Sequence, residues 1–141
     1  MILIDTNVVS EPWKPQPELR VLAWLDAQTI ETLYLSSITV AELRFGIAAM
    51  PAGKRRTVLH DRLEGEVLPL FSGHILSFDL DASKAYAALM VEARAAGKAI
   101  GTADGYIAAI ARASGFMVAT RDVRPFEAAN VKVVNPWDGQ S

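Results

Sequence analysis

Residues 2–5, with the sequence ILID, decide the fold because a short aliphatic run ends there in a single acid. Three adjacent aliphatic side chains bounded by a polar residue predict a buried β-strand, with Asp5 at its carboxyl end. Similar apolar runs recur along the chain. We therefore predict further strands at 33–35, 75–78, 116–119 and 131–134.

Segments with apolar residues at helical spacing separate these runs. We predict helices at 18–28, 37–46, 54–67, 81–96 and 103–114. Three polar residues are predicted to begin helices. Thr39 would form a capping box with Glu42, while Asp81 and Thr102 would each accept a hydrogen bond from the first turn of their own helix.

Strands that alternate with helices predict a parallel sheet covered by helices on both faces. We expect an α/β fold, specifically a three-layer α/β/α sandwich around a mainly parallel sheet. Because crossover connections in such sheets are right-handed, the carboxyl ends of the strands share one edge. That edge is where open α/β folds bind their ligands.

The composition limits the kind of protein that this chain can form. Its 141 residues are 51% hydrophobic and 21% charged, which predicts one folded domain over residues 1–141. The absence of cysteine excludes disulfide bonds, thiolate metal sites and a cysteine nucleophile. No segment matches a signal peptide or a membrane helix, so we expect a soluble cytoplasmic protein. The net charge of −2 does not suggest a general nucleic-acid binder, but it leaves room for a local basic patch.

Four acids are predicted at the ligand-binding edge of the sheet. Asp5 ends the first strand, and Asp122 follows the strand at 116–119, while Glu42 and Asp104 lie in the first turns of predicted helices. Clustered carboxylates repel one another unless a cation lies among them, and Mg²⁺ and Mn²⁺ prefer oxygen ligands. Such a site suits phosphodiester hydrolysis, because the ion can activate a water and neutralise charge on the phosphate.

Each acid also has a simpler interpretation, which the residues alone leave open. Asp5 would only form a turn after its strand, and Glu42 would only complete the capping box with Thr39. Asp104 would only favour a helix N-terminus, and Asp122 would be an ordinary turn residue. The spacing by itself does not decide between these interpretations and a metal site.

Four sequence blocks carry a resemblance to a known family over nearly the whole chain. They are MILIDTNVVSE at 1–11, SSITVAELRFGI at 36–47, TADGYIAAIARASGFMVATRD at 102–122 and VVNPWD at 133–138. In these blocks the chain resembles the PIN-domain family, named for the PilT N-terminus, and within it the VapC-type toxin ribonucleases with their FitB-like branch. The resemblance implies a PIN-like α/β/α sandwich and RNA cleavage that depends on magnesium or manganese.

The resemblance also implies which residues form the site and which partners the protein has. It gives the metal-binding and catalytic role to the four acids Asp5, Glu42, Asp104 and Asp122. Thr6, Asn7 and Thr120 lie beside them in the sequence and are expected to support the ligands by hydrogen bonds. The implied partners are an RNA substrate, a cognate antitoxin that inhibits the enzyme, and a second copy of the chain in a homodimer, with no membrane association.

Two arginines, Arg121 and Arg124, flank Asp122 and are the candidates for contact with RNA phosphates. The leading hypothesis is an endoribonuclease, the toxin of a type II toxin–antitoxin pair, that uses a metal-activated water. The alternative is a catalytically silent PIN-like module that acts through protein binding. A phosphatase of the haloacid dehalogenase type is disfavoured, because Asn7 stands where its second aspartate is required. A receiver-type domain is disfavoured because the paired acids and lysine that it needs are not found.

Overall fold

The computed structural model describes residues 1–138, so the last three residues of the predicted 1–141 domain lie outside the described residues. Within this range the strands are β1 Ile2–Ile4, β2 Leu33–Ser36, β3 Ile75–Leu76, β4 Met117–Ala119 and β5 Val133–Val134. The α-helices are α1 Thr6–Ser10, α2 Leu19–Asp26, α3 Ser37–Ala48, α4 Lys54–Arg62, α5 Leu68–Leu70, α6 Leu80–Ala95, α7 Thr102–Ser114 and α8 Arg124–Ala128, and a π-helical turn at Leu63–Val67 joins α4 to α5. None of these helices is long and apolar enough to cross a membrane.

The five strands form a parallel sheet in the order β3-β2-β1-β4-β5. The chain first builds outward from β1 through β2 to β3, and it then crosses to the other side of β1 to form β4 and β5. This reversal creates a crevice at the carboxyl ends of β1 and β4. Such a switch point is where parallel α/β sheets bind ligands.

Helices cover both faces of the sheet, which confirms the predicted three-layer α/β/α sandwich. Leu3 of β1 is fully buried in an apolar cluster that includes residues of α6, α7 and α8. Its neighbour Ile4 faces the opposite side and packs with residues of α1, α2 and α3. Successive residues of a strand point to opposite faces, so β1 is buried on both sides.

The capping box predicted for α3 is wrong. Ser36, the last residue of β2, caps this helix by accepting a hydrogen bond from the Thr39 amide at 2.9 Å. An N-cap residue needs an extended backbone, and a residue that leaves a strand already has one. Glu42 consequently lies in the second turn of α3, and its side chain is free for another role.

Two further helix starts also differ from the predictions. Asp79, and not Asp81, caps α6, because its side chain accepts a hydrogen bond from the Ala82 amide at 2.9 Å. At α7 the N-cap is Gly101, which has an extended backbone and no side chain to accept a bond, while Thr102 is the first helical residue. The first helical residue therefore lies two positions earlier in α6 and one position earlier in α7 than the caps predicted at Asp81 and Thr102 imply.

Gly105 allows α7 to approach α6 closely. A Cβ atom at this position would lie 3.0 Å from Cε1 of Tyr86 and 3.3 Å from Sδ of Met90. Glycine inside a helix costs about 1 kcal/mol relative to alanine, and this contact gives the physical reason for it here. The packing fixes the first turn of α7, which carries Asp104.

Candidate active site

Asp5 lies at the carboxyl end of β1 and is buried, with 7% of its surface exposed. Its backbone amide still belongs to the sheet and donates to the Ala119 carbonyl at 2.9 Å. One carboxylate oxygen accepts a hydrogen bond from the Thr6 amide at 2.8 Å, and the other accepts one from the Thr120 hydroxyl at 2.8 Å. The ends of β1 and β4 therefore fix the direction of this side chain.

Glu42 reaches the same crevice from α3. The Thr6 hydroxyl donates to Oε1 of Glu42 at 2.7 Å and lies 3.4 Å from the Thr39 hydroxyl. Because a hydroxyl has one proton, we assign it to the carboxylate, and Thr6 then accepts from the fully buried Thr39. Thr6 thus connects two of the acids, with its amide on Asp5 and its hydroxyl on Glu42.

Asp104 and Asp122 are the other two predicted acids of the site. Asp104 lies half-buried in the first turn of α7, while Asp122 is exposed in the loop after β4. Burial raises the pKa of Asp104, and the charges of Asp122 and Glu42 raise it further. Burial also raises the pKa of Asp5 to about 6 despite its two hydrogen bonds, and the charges of Asp104 and Glu42 add to the shift. Asp104 therefore lies within electrostatic reach of Asp5, Glu42 and Asp122, and Asp5 lies within reach of Glu42.

Two amide side chains and a tryptophan contact the loop that carries Asp122. Asn7 accepts a hydrogen bond from the Arg121 amide at 3.4 Å, and Asn135 donates to the Arg121 carbonyl at 3.4 Å. The Arg121 guanidinium lies 5.3 Å from the centre of the Trp137 ring, which places it for a cation–π interaction. The block at 133–138 therefore helps to position the loop after β4.

The donor set fits a hard divalent cation. All four groups are carboxylates, and a cation would relieve the repulsion that adds to the effect of burial on the pKa of Asp5 and Asp104. Within residues 1–138, no three His, Asp or Glu side chains lie close enough together to enclose an ion. Mg²⁺ does not need an enclosing set of protein ligands, because it can bind through one or two carboxylates, keeps several waters and also binds substrate phosphate.

The raised pKa of Asp5 predicts that this residue makes the metal-free protein less stable as the pH rises. The pKa is 3.8 in the unfolded chain and about 6 in the folded protein. Between these values the folded state binds more protons than the unfolded state, so the free energy of unfolding falls with increasing pH. Asp5 alone should lower it by about 3 kcal/mol between about pH 4 and pH 7. Urea unfolding in EDTA at a series of pH values measures this change.

A control is needed because other acids act in the opposite direction. Four glutamates have lowered pKa values, which favour folding as the pH rises: Glu11, Glu18, Glu64 and Glu92. The difference in stability between the wild type and Asp5→Asn cancels their contribution. That difference should grow with pH over the same interval, and a difference independent of pH would contradict the expectation.

The structure brings the predicted site residues together to different degrees. Thr6 and Thr120 each donate a hydrogen bond to a carboxylate, whereas Asn7 contacts the backbone of the loop. Of the two predicted RNA contacts, Arg121 lies over a tryptophan ring, and Arg124 lines a cavity beside Asp122.

Sequence reasoning missed three residues that support the site: Ser36, Thr39 and Asn135. Hydroxyl and amide side chains inside two of the quoted blocks were the available signal. That signal was ambiguous, because Ser36 and Thr39 are both acceptable caps for the same helix.

The protein is thus a parallel α/β domain with carboxylates at its switch point, the place where such domains bind their ligands. The PIN domain model matches residues 2–132, so the chain belongs to the PIN-domain family. Its relatives place it in the VapC/FitB-type branch of that family.

The relatives match over nearly their whole length. The chain is 68% identical over 138 residues to VapC ribonuclease Y4jK of Sinorhizobium fredii, and the matched region covers 98% of this chain and 99% of the relative. It is 56% identical over 137 residues to Toxin FitB of Neisseria gonorrhoeae, covering 97% and 99% of the two chains. In a solved structure of FitAB bound to an IR36 DNA fragment, one chain matches with a TM-score of 0.95 and 54% identity, covering 97% of this chain and 96% of that one.

Proposed function

We propose that this chain is a divalent-metal-dependent endoribonuclease and the toxin of a type II toxin–antitoxin pair. The observation that carries the proposal is the buried Asp5 carboxylate, oriented by Thr6 and Thr120, with Asp104 and Glu42 within electrostatic reach. A carboxylate held in this way costs stability in the absence of a cation. Asp5 is also the N-cap of α1, but a cap does not require the burial, whereas a role in metal binding and catalysis accounts for that cost.

Four carboxylates would hold one or two Mg²⁺ or Mn²⁺ ions: Asp5, Glu42, Asp104 and Asp122. When bound, such an ion lowers the pKa of a coordinated water and neutralises the charge that builds on the phosphate. The protein supplies orientation. The Thr120 hydroxyl holds one oxygen of Asp5, and the Thr6 hydroxyl holds one oxygen of Glu42. In this mechanism water is the nucleophile, and no side chain becomes covalently attached to the RNA.

The proposed partners follow from the relatives. One relative is named a VapC ribonuclease, which supports RNA as the substrate. Another is named Toxin FitB, and the FitAB structure contains a second component, which supports an antitoxin as the inhibitory partner. We further propose that the protein acts as a homodimer in the cytoplasm, where its RNA substrate would be found.

The proposal is tested by incubating purified, partner-free protein with total RNA. We expect cleavage with Mg²⁺ or Mn²⁺ and none in EDTA, because the carboxylates alone provide no group to neutralise the phosphate. Asp104→Asn should lose most of the activity, since it removes a charge from the middle of the acid group. Asp61→Asn removes the same charge from an exposed position on α4, 73% exposed at its side chain, and should leave cleavage unchanged.

Cleavage that persists in EDTA would contradict the metal dependence. Protein that cuts no RNA with either ion, yet binds a partner protein tightly, would favour the catalytically silent module.

A further inference from the structure

A cavity of about 480 Å³ opens beside Asp122. Its walls come from the turn between α6 and α7 and from α8, and they include Lys98, Arg124 and Glu127. A second cavity of about 360 Å³ shares Lys98 and Ala99 with the first and continues along α6 past Arg94. Together these cavities form one groove that leads away from the acid cluster, and we call it the α6–α8 groove.

Three exposed basic side chains line this groove: Arg94, Lys98 and Arg124. Among residues 1–138, none of the three forms a salt bridge or donates a side-chain hydrogen bond. Other cations of the protein are already engaged, as Arg44 is with Glu64 and Arg112 is with Glu92. The three groove cations are therefore available to an external anion.

Backbone hydrogen bonds fix the points at which two of these side chains, Arg94 and Lys98, leave the chain. After α6 the Lys98 amide donates to the Ala93 carbonyl at 2.8 Å, and the Gly97 amide donates to the Arg94 carbonyl at 3.0 Å. Gly97 has a left-handed φ of +71°, so the helix ends in a Schellman motif. The chain then continues directly to Gly101 and the first turn of α7, where Asp104 lies.

We propose that the α6–α8 groove binds the phosphates of the RNA strand beside the cleaved bond, through Arg124, Lys98 and Arg94 in that order away from Asp122. This inference rests on the proposed function. An acid cluster repels an RNA backbone, and a row of unpaired cations beginning next to Asp122 offsets that repulsion. The carboxylate of Glu127 also lines the groove near Arg124, and it opposes phosphate there.

An acidic protein segment is the other polyanion that such a groove could accept. The position of the groove favours RNA, because Asp122 lines it together with Lys98 and Arg124. A strand that lies in the groove is therefore continuous with the place where the phosphodiester bond is cut.

The test measures binding of a short fluorescein-labelled oligouridylate in EDTA, in the Asp5→Asn background so that cleavage cannot interfere. The groove pair Lys98→Gln/Arg124→Gln is compared with a matched pair, Lys84→Gln/Lys132→Gln, which removes the same charge outside the groove. We expect the groove pair to weaken binding by about tenfold or more at ~0.1 M salt. It should also reduce the steepness of the plot of log K against log salt concentration by about 1.4. The matched pair should change neither quantity by as much.

Each result has a distinct meaning once thermal melting has shown that all variants are folded. Equal RNA binding by the two pairs overturns the proposal that the groove binds RNA. Polyglutamate, which stands for an acidic protein segment, is measured in the same way, and a loss of its binding without a loss of RNA binding also overturns the proposal. Cleavage of RNA is measured separately, in protein that keeps Asp5. Cleavage with Mg²⁺ combined with equal binding by the two pairs would reject the groove and leave the ribonuclease proposal intact.

Discussion

Asp5→Asn is expected to lower metal-dependent RNA cleavage by more than about 100-fold, beyond the upper end of what removing a supporting partner of a metal ligand costs. Asp5 is held in place by residues that follow the two strands of the switch point, through the Thr6 amide after β1 and the Thr120 hydroxyl after β4. Asparagine keeps the shape but removes the negative charge, so a cation loses its most firmly oriented ligand. The loss should appear in the rate at saturating RNA as well as at low RNA.

The same substitution should stabilise the metal-free protein at neutral pH. Burial raises the pKa of Asp5 from 3.8 to about 6, so its charge opposes folding by about 3 kcal/mol at pH 7. The asparagine oxygen can still accept from Thr6, and its amide can donate to Thr120, whose hydroxyl proton then turns to the Asp122 carbonyl 3.4 Å away. We expect the melting temperature in EDTA to rise by about 8 °C.

Thermal melting with and without Mg²⁺ separates the two effects of Asp5→Asn. The ion should stabilise the wild type, by about 2.7 kcal/mol at 100 times its dissociation constant, and should stabilise the variant much less. Asp61→Asn serves as the control, since it removes an exposed charge. A variant that is inactive and also less stable in EDTA would indicate simple damage to the fold and would contradict the assignment.

Thr120→Val is expected to destabilise the metal-free protein at neutral pH by about 2 kcal/mol and to reduce cleavage by about 10-fold to 100-fold. Thr120 is fully buried, and its hydroxyl donates to the Asp5 carboxylate at 2.8 Å. A hydrogen bond to a charged group contributes about 1.5–3 kcal/mol, and valine has nearly the same volume without the donor. Loss of this donor also misorients a metal ligand, which accounts for the lower activity.

Thr120→Ser provides the matched control, because it keeps the hydroxyl and removes only a methyl group. It should retain most of the activity. The hydrogen bond favours the charged form of Asp5, so its removal raises the pKa of Asp5 further, and the destabilisation should fade below about pH 5. Urea unfolding at low and neutral pH measures this. Equal destabilisation at both pH values would point to packing alone, as would an equal effect of Val and Ser.

The sheet and its layers could be predicted because the signals for them are local. The apolar runs at 2–4, 33–35 and 116–119 coincide with β1, β2 and β4 to within one residue at each end. The alternation of strands with helices was enough to indicate a parallel sheet, and a parallel sheet determines the edge at which ligands bind. The mainly parallel sheet and the PIN-domain family are confirmed, and all five strands of the described residues pair in parallel. The single domain over 1–141 and the roles of the individual acids stay predictions.

The N-cap residues Ser36, Asp79 and Gly101 could not be predicted, for a physical reason. Several polar residues within three positions can satisfy the same amides, and the path of the chain out of the preceding segment selects one of them. The close packing of α6 on α7 decided the need for Gly105, which no local pattern contains.

By itself, the sequence determined the fold class, the shared edge of the sheet and the presence of acids at that edge, because hydrophobic periodicity and chain order are encoded locally. Only the tertiary structure decided which groups meet those acids. The Thr6 hydroxyl donates a hydrogen bond to Glu42, 36 residues away in sequence, and the Thr120 hydroxyl donates one to Asp5, 115 residues away. A hydrogen bond depends on distances of a few tenths of an ångström, and the packing of helices on the sheet sets those distances.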